Sequence, residues 1–211
     1  MPTLAVALYA LYLAVAFGWR TWLQVKNTGS TGFRGISGTP RTAEWWGGVL
    51  FVLALICGVA APILQTTDTL NPIGALNTGV VQALGAVIAV LGIAMTVRAQ
   101  IDMGVSWRIG VDQDEQTALV TRGLFAQVRN PIFTAMTLAA LGLALLTPNA
   151  AAALGLIGLI VAIEVQVRCA EEPYLRTQHP DAFTSYAAQV GRFVPRLGRL
   201  RPAGRTPVAA D

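Results

Sequence analysis

The chain has 211 residues, of which 54% are hydrophobic and only 12% are charged, and its net charge is +4. A typical soluble domain carries about 25% charged residues, so the composition argues against a water-soluble globule and against a disordered chain. The two cysteines, Cys57 and Cys169, exclude a disulfide scaffold and a four-cysteine zinc site. The composition is typical of a small integral membrane protein.

The apolar residues are concentrated in blocks that contain few or no charges. A helix needs about 20 apolar residues to cross the core of a bilayer, and the blocks have this length or somewhat less. A soluble bundle of buried helices is disfavoured because too few polar residues remain to face water. We predict an all-α integral membrane protein with five transmembrane helices, formed by residues 4–19, 45–64, 73–97, 132–146 and 150–167.

The fourth and fifth blocks are separated by only three residues, Thr147-Pro148-Asn149. This short break predicts a helical hairpin formed by helices four and five. Both blocks are short for a full crossing, so we expect the hairpin to tilt or to end before the far surface. The first block has no basic residues before it and no clear cleavage site after it, which predicts a retained helix rather than a signal peptide.

The basic residues predict the orientation of the bundle. All of them lie between helices one and two, between helices three and four, or after helix five, whereas segments 65–72 and 147–149 contain none. Because cytoplasmic segments are enriched in Lys and Arg, we expect the N-terminus outside and the C-terminus in the cytoplasm.

This pattern divides the chain into three parts. Residues 1–72 are predicted to form two transmembrane helices joined by a cytoplasmic loop at 20–44, and residues 73–197 are predicted to form the functional core. The Gly-rich stretch within that loop lacks the phosphate-binding motif G-x-x-x-x-G-K-[ST], so we interpret it as a flexible loop. Residues 198–211 are expected to be a disordered tail.

The polar residues of the core lie mainly in two segments next to helix ends, 98–131 and 164–195. Within the first segment, residues 110–117 are acidic and turn-like, and residues 119–121 are predicted to be a short extended stretch. Asn130-Pro131 predicts the start of a helix, with Asn130 as its N-cap. In the second segment, Asp181 is predicted to cap a short helix that carries Phe183 and Tyr186 on one face.

Four charged residues follow one another at helical spacing at the end of the fifth block. Glu164 and Arg168 are four residues apart and are predicted to pair, and Glu171 and Glu172 are expected to continue the same face. An ionisable residue at membrane depth is a candidate functional residue. The alternative interpretation is an ion pair near the membrane surface, followed by solvated acids.

Other reactive side chains are scarce. His179 is the only histidine, and Cys169 has no adjacent histidine. A histidine-based metal site, a Ser-His-Asp triad and a cysteine nucleophile therefore have little support, and no metal is expected.

The motifs LVTRGLFAQVRNPIF and RCAEEPYL, followed by Phe-x-x-Tyr and Val-x-x-Phe-Val-Pro, form an ordered series. This series resembles the isoprenylcysteine carboxyl methyltransferase family and the related phospholipid N-methyltransferases, over about residues 80–197. The resemblance implies an integral membrane enzyme that uses S-adenosylmethionine and binds it at the cytosolic face.

The resemblance also implies roles for individual residues. Arg168 and Glu172 match a paired Arg and Glu and are expected to be catalytic, with Arg168 orienting the acceptor and Glu172 fixing Arg168 or contacting the cofactor. The residues expected to bind the cofactor are Gly123, Arg129, Asn130, Pro131, Phe133, Glu171, Phe183 and Tyr186.

Three positions depart from the family pattern. Phe125 and Phe133 replace tyrosines, and Asn130 replaces a histidine. Asparagine keeps a hydrogen-bond donor and an acceptor but cannot act as a base near neutral pH. Asn130 therefore leaves the acceptor less certain than the cofactor. The long segment 104–115 also differs from short family members and is expected to shape the acceptor entrance.

We therefore expect a methyltransferase that acts on a lipophilic acceptor drawn from the bilayer, such as a prenylcysteine-like carboxylate or another isoprenoid or lipid group. The expected location is a bacterial inner membrane, with the active site facing the cytoplasm, membrane lipids as partners and no nucleic acid. An NADPH-dependent reductase of the sterol-reductase type and a non-catalytic membrane protein remain alternatives. The acceptor atom (O, S or N) and the oligomeric state stay open.

Overall fold

A computed structural model describes residues 1–110 and 118–200, and this part of the chain is helical with no strands. The predicted acidic turn, from residue 111 onward, and the predicted tail, from residue 201 onward, lie outside the described residues. Residues 119–121 form no strand. In chain order the helices are α1 (Pro2–Thr28), α2 (Ala43–Thr66), α3 (Gly79–Met103), α4 (Pro131–Leu146), α5 (Ala150–Gln178) and α6 (Pro180–Gln189).

Two of these helices are interrupted by a π-helical turn, in which the backbone is wider than in an α-helix. The turn in α1 covers Ala14–Trp19, and the turn in α5 covers Val167–Glu171. Short 3-10 turns occur at Gly74–Leu76, Gly104–Ser106 and Gly123–Ala126.

Four helices of the described chain are long and apolar enough to cross a membrane: α1, α2, α3 with its following turn, and α5. The predicted fourth span, α4, has 16 residues. At 1.5 Å per residue it is about 24 Å long, which is less than the roughly 30 Å core of a bilayer. The helix α5 is longer than predicted because it continues beyond Val167 through the polar sequence RCAEEPYL. The count of five spans, which depends on α4, and the orientation of the bundle stay predictions.

Polar side chains define where three long helices begin. The hydroxyl oxygens of Thr42 and Thr78 accept hydrogen bonds from the amides of Trp45 and Val81, each at 3.3 Å. The side-chain oxygen of Asn149 accepts from the amide of Ala152 at 3.0 Å. These N-caps satisfy amides that have no partner within their own helix.

The hairpin predicted from Thr147-Pro148-Asn149 is confirmed, since α4 ends at Leu146 and α5 begins at Ala150. Buried Asn149 also connects the hairpin to α2, because its amide nitrogen donates to the Ala61 carbonyl at 3.0 Å and to the Gln65 side chain at 2.9 Å. These bonds anchor one end of the helical bundle.

Small residues bring α3 and α4 into direct backbone contact. A methyl group at Gly92 would overlap the backbone of Ala139, and one at Gly142 would overlap the backbone of Ala89. Small residues commonly allow membrane helices to approach this closely. The contact fixes the start of α4 relative to the end of α3, where the predicted site residues lie.

The segment after α6 turns back across the start of α4. The amide of Arg129 donates to the Gly191 carbonyl at 2.8 Å, and the amide of Asn130 donates to the Arg192 carbonyl at 3.1 Å. The Thr134 hydroxyl donates to the Phe193 carbonyl at 2.9 Å. The start of α4, the second half of α5 and α6 therefore meet at the end of the bundle opposite the hairpin connection.

Candidate active site

A buried ion cluster lies where these three elements meet. The carboxylate of Glu172 accepts hydrogen bonds from Arg129 Nη2 at 2.8 Å and from Arg192 Nε and Nη2 at 2.7 and 2.9 Å. The side chains of Arg129, Glu172 and Arg192 are only 2%, 8% and 12% exposed. The hydrogen bonds to Glu172 raise the pKa of the Arg192 guanidinium, which stays charged. We call Arg129, Glu172 and Arg192 the Glu172 cluster.

The Glu172 cluster also holds the C-terminal segment in place. Arg129 donates to the carbonyls of Ala187, Val190 and Gly198, at 3.2, 2.5 and 3.0 Å. Asn130, which directly precedes α4 as predicted, does not cap it with its side chain; its side-chain amide donates to the Arg192 carbonyl at 3.2 Å. His179, rather than Asp181, is the residue that directly precedes α6.

The expected contact between Glu172 and Arg168 is wrong. Arg168 pairs instead with Glu164, as the spacing also predicted, with 2.5 Å between Arg168 Nε and Glu164 Oε2. The π-helical turn Val167–Glu171 lies between the two pairs. One extra residue in a turn rotates the remainder of the helix by about 100°, so Glu172 faces α4 and the C-terminal segment.

A cavity with both apolar and charged side chains in its walls lies beside the Glu172 cluster, between the end of α3, the start of α4, the end of α5 and α6. We call it the polar cavity because its charged groups distinguish it. Most of the predicted site residues line it: Arg129, Asn130, Glu171, Glu172, Phe183 and Tyr186. The motifs that carried the resemblance therefore do converge on one cavity.

Four predicted site residues lie outside the walls of this cavity. Pro131 is fully buried as the first residue of α4, and Phe133 packs against the hydrophobic core. The side chain of Arg168 is 58% exposed. Gly123 occupies the turn before α4.

The role of Gly123 is explained by its backbone and by one neighbour. Its φ of +62° is a conformation that favours glycine, and a Cβ there would overlap the carboxylate of Asp102. Asp102 accepts a hydrogen bond from the Leu124 amide at 3.0 Å and pairs with Arg98 at 2.9 Å. The lack of a side chain at Gly123 therefore allows the turn before α4 to approach the end of α3.

Several residues of this region were not predicted from the sequence to belong to the site. Arg108 and Tyr174 both line the cavity, and the Arg108 guanidinium stacks over the Tyr174 ring at 4.7 Å. Asp102, near the end of α3, supports the turn at Gly123. In the sequence, Arg108 stands out only by its position in the unusually long segment 104–115. No sequence pattern predicts that this segment contacts α5.

Aromatic and charged groups give the cavity its chemical character. Glu171 is half-buried in its wall and interacts electrostatically with Arg108. The Tyr186 hydroxyl donates to the Phe125 carbonyl at 2.6 Å, and burial raises the pKa of Tyr186 to about 12. The cavity thus offers a carboxylate, guanidinium groups and aromatic rings within one enclosure. No cluster of three or more potential metal ligands occurs in the described residues.

A second, mainly apolar cleft adjoins this cavity. It lies between α1, α2, α5 and the loop before α2, and its apolar lining includes Phe17, Phe33, Ile36, Phe51, Val52 and Leu55. Gly110 and Glu171 line both the cleft and the polar cavity. We call this feature the apolar cleft. It borders the polar cavity at Gly110 and Glu171.

Comparison with protein families agrees with this arrangement. Residues 80–182 match the family model described as phospholipid methyltransferase. This part of the chain is similar to the phospholipid methyltransferase family. The match begins in α3 and ends in α6, so it contains most residues of the polar cavity, the Glu164–Arg168 pair, and Arg129 and Glu172, whereas Arg192 lies beyond it. Comparison with curated proteins and with solved structures gave no significant match. The match and the apolar helices support a membrane methyltransferase in general.

Proposed function

We propose that the protein transfers a methyl group from S-adenosylmethionine to a lipophilic acceptor that enters from the bilayer. The observation that carries this proposal is the contact between the polar cavity and the apolar cleft at Glu171 and Gly110. A small charged cofactor and an apolar acceptor need two such compartments with a common boundary. We also propose that the protein lies in a bacterial inner membrane and that its active site faces the cytoplasm.

The residues of the polar cavity fit the cofactor chemically. Glu171 would hold a cationic or hydroxyl group of the cofactor, and Arg108 would hold its carboxylate. Arg129 Nε is buried without a partner in the described structure, so it offers a further donor. Tyr174 and Phe183 would contact the adenine ring.

When bound, the cofactor would supply a sulfonium methyl group, to which a lone pair of the acceptor would bond in line as the carbon–sulfur bond breaks and its electron pair stays on the departing thioether. The protein therefore has to hold the donor and the acceptor aligned, and alignment alone removes several kcal/mol of a reaction barrier. The Glu172 cluster fixes Arg129 and the start of α4 behind the cavity. Asn130 holds its neighbours through its amide, and no proton transfer is assigned to it.

The apolar cleft would bind the chain of the acceptor. Phe17, Phe51 and Leu55 lie on helices long enough to span the membrane, which would place this part of the cleft within reach of the hydrocarbon region. An acceptor whose chain fills the cleft would present its polar end at Glu171. This arrangement supports a lipid or isoprenoid acceptor whose polar end is a carboxylate, a thiol or an amine.

The acceptor role expected of Arg168 is replaced in this proposal by groups of the cavity wall. Arg168 is exposed and paired with Glu164, whereas Arg108 and Glu171 face the enclosed space. The variants Glu171→Gln and Arg168→Ala therefore separate the two assignments. We expect methyl transfer to fall by about tenfold or more for Glu171→Gln and to stay close to wild type for Arg168→Ala.

The deciding experiment uses the full chain purified in lipid nanodiscs. Binding of labelled S-adenosylmethionine and of NADPH is measured by equilibrium dialysis, and methylated products of a bacterial lipid extract are identified by mass spectrometry. We expect saturable binding of S-adenosylmethionine alone, weakened by Glu171→Gln and unaffected by Glu164→Gln. Binding of NADPH alone would identify a reductase, and binding of neither would identify a non-catalytic protein.

A further inference from the structure

The last third of α1 begins with a buried arginine, Arg20. Arg20 is only 2% exposed and follows directly after the π-helical turn of α1. Its Nη2 donates to the Gly104 carbonyl, and its guanidinium stacks over the Trp107 ring at 4.7 Å. Burying a cation is costly, so an arginine whose observed partners are a carbonyl and a ring points to a specific positional task.

Further contacts join the same two parts of the chain. Gln24, one turn after Arg20, donates to the Val105 carbonyl at 2.9 Å. The amide of Ile109 donates to the Gly32 carbonyl at 2.8 Å, and the amide of Arg34 donates to the Ile109 carbonyl at 2.9 Å. Residues 20–34 therefore hold segment 104–109 along its length.

Gly32 makes this contact close. A Cβ on Gly32 would lie 3.2 Å from both the ring and the carbonyl oxygen of Trp107 and 3.3 Å from the Gln24 side chain. The Gly32 backbone, with φ of +71°, thus packs directly against the ring on which Arg20 stacks. Residues 20–34 all precede the segment that matches the family model.

The segment held in this way forms a wall of the proposed site. Ser106, Arg108 and Gly110 line the polar cavity, and Ile109 and Gly110 line the apolar cleft. Arg108, directly after Trp107, stacks on Tyr174 of α5. A displacement of Trp107 would therefore move groups that border both the cofactor and the acceptor.

We infer that Arg20 is a positioning residue of the methyl-transfer site, through which α1 holds the wall formed by residues 104–110. This inference rests on the proposed function. It means that the N-terminal part of the chain, outside the family match, is needed for binding both substrates. The planar guanidinium makes the carbonyl bond and the ring stack together, whereas a lysine at this position makes one contact at a time.

The test compares Arg20→Met and Arg20→Lys with Lys26→Met in nanodiscs. Lys26 is a matched control because it is also a cation of α1 near a tryptophan, Trp22 at 5.4 Å, but it is exposed. We expect Arg20→Met to raise KM for both S-adenosylmethionine and acceptor by about tenfold, with a smaller change in kcat. Arg20→Lys is expected to fall between wild type and Arg20→Met, and Lys26→Met to match wild type. An unchanged KM in folded Arg20→Met would overturn the inference.

A second measurement does not depend on enzyme activity. Hydrogen exchange followed by mass spectrometry reports the protection of the amides of residues 104–109. We expect Arg20→Met to speed exchange there by about tenfold or more, with exchange in α4 unchanged. Equal exchange in wild type and Arg20→Met would overturn the positioning role. Absence of S-adenosylmethionine binding by the wild type would instead overturn the proposed function and leave the exchange result to decide the positioning.

If Arg20→Met does not fold, Trp107→Phe replaces it in both measurements. This variant keeps a ring under Arg20 but reduces the stacking area. We expect the same raised KM values and faster exchange at 104–109, at a smaller size. Wild-type values for both would count against the inference.

Discussion

The helix α5 carries two ion pairs of the same chemical type in different surroundings. Before the π-helical turn, Glu164 and Arg168 pair along the helix, with side chains 38% and 58% exposed. After the turn, Glu172 pairs with two arginines from distant parts of the chain and is 8% exposed. An exposed pair contributes little to stability, whereas a buried cluster cannot lose one member without leaving uncompensated charge. The spacing of charges along a helix therefore does not distinguish a buried ion cluster from an exposed surface pair. Their partners and their burial do.

The largest expected effect is that of removing the centre of the buried cluster. Glu172→Ala leaves the charges of Arg129 and Arg192 without a carboxylate, and breaking a buried pair typically costs about 3–5 kcal/mol. We expect a corresponding loss in the free energy of unfolding, measured by denaturant titration in detergent micelles. A loss below that of Glu164→Ala would break the distinction between the two pairs.

A smaller effect is expected from changing the geometry of the cluster while keeping its charge. Arg192 binds both oxygens of Glu172 through two nitrogens, and lysine cannot reproduce this two-point contact. Arg192→Lys should therefore lower stability by about 1–2 kcal/mol. The matched control is Arg168→Lys, since this exposed arginine contacts Glu164 through Nε alone. Equal effects at the two positions would contradict the prediction.

Tyr186 gives a pH-dependent test of the same buried region. Tyr186→Phe removes the hydrogen bond to the Phe125 carbonyl and should cost about 1 kcal/mol. The pKa of Tyr186 rises from about 10 in the unfolded chain to about 12 in the folded protein. Its stabilising contribution is therefore complete below about pH 10 and is lost as the pH rises through about 12. Unfolding from pH 8 to 12 should show a shallower loss for Tyr186→Phe than for wild type.

The smallest effect is expected at the exposed pair. Glu164→Gln should change the free energy of unfolding by less than about 1 kcal/mol, and added salt should remove the difference from wild type. The effect of Glu172→Ala should persist in high salt because its groups are buried. Denaturant titrations at low and high salt measure both. A salt-sensitive Glu172→Ala effect would indicate that water reaches the cluster.

Much of the fold could be predicted from local patterns. The apolar blocks predicted the helices, and Thr147-Pro148-Asn149 predicted the hairpin, because hydrophobicity and helix-breaking residues act within a few positions of the chain. The end of α5 was harder to predict, since the helix continues through a polar sequence of which tertiary contacts bury Glu172 and Tyr174. Whether α4 crosses the membrane stays a prediction, because its 16 residues are fewer than the roughly 20 that a full crossing needs, as the short apolar block already indicated.

The candidate site was predicted unevenly for the same reason. The family motifs identified Arg129, Glu171 and Glu172, which do line one cavity. They did not reveal that Arg168 faces outward, because its direction depends on the rotation of α5 at its π-helical turn. They also did not reveal that Arg108 stacks on Tyr174, because this contact joins distant segments of the chain. Gly123 was predicted to bind the cofactor, whereas its close neighbour Asp102 is visible only in three dimensions.

By itself, the sequence determined that this protein is built from apolar helices and that its polar chemistry is gathered in two segments at helix ends. Only the tertiary structure decided which charges meet. Glu172 lies 43 residues from Arg129 and 20 from Arg192, so no local periodicity relates them. The stability of the fold depends on these contacts because the charges are buried. At the surface water solvates a charge, whereas inside the protein a charged partner has to do so.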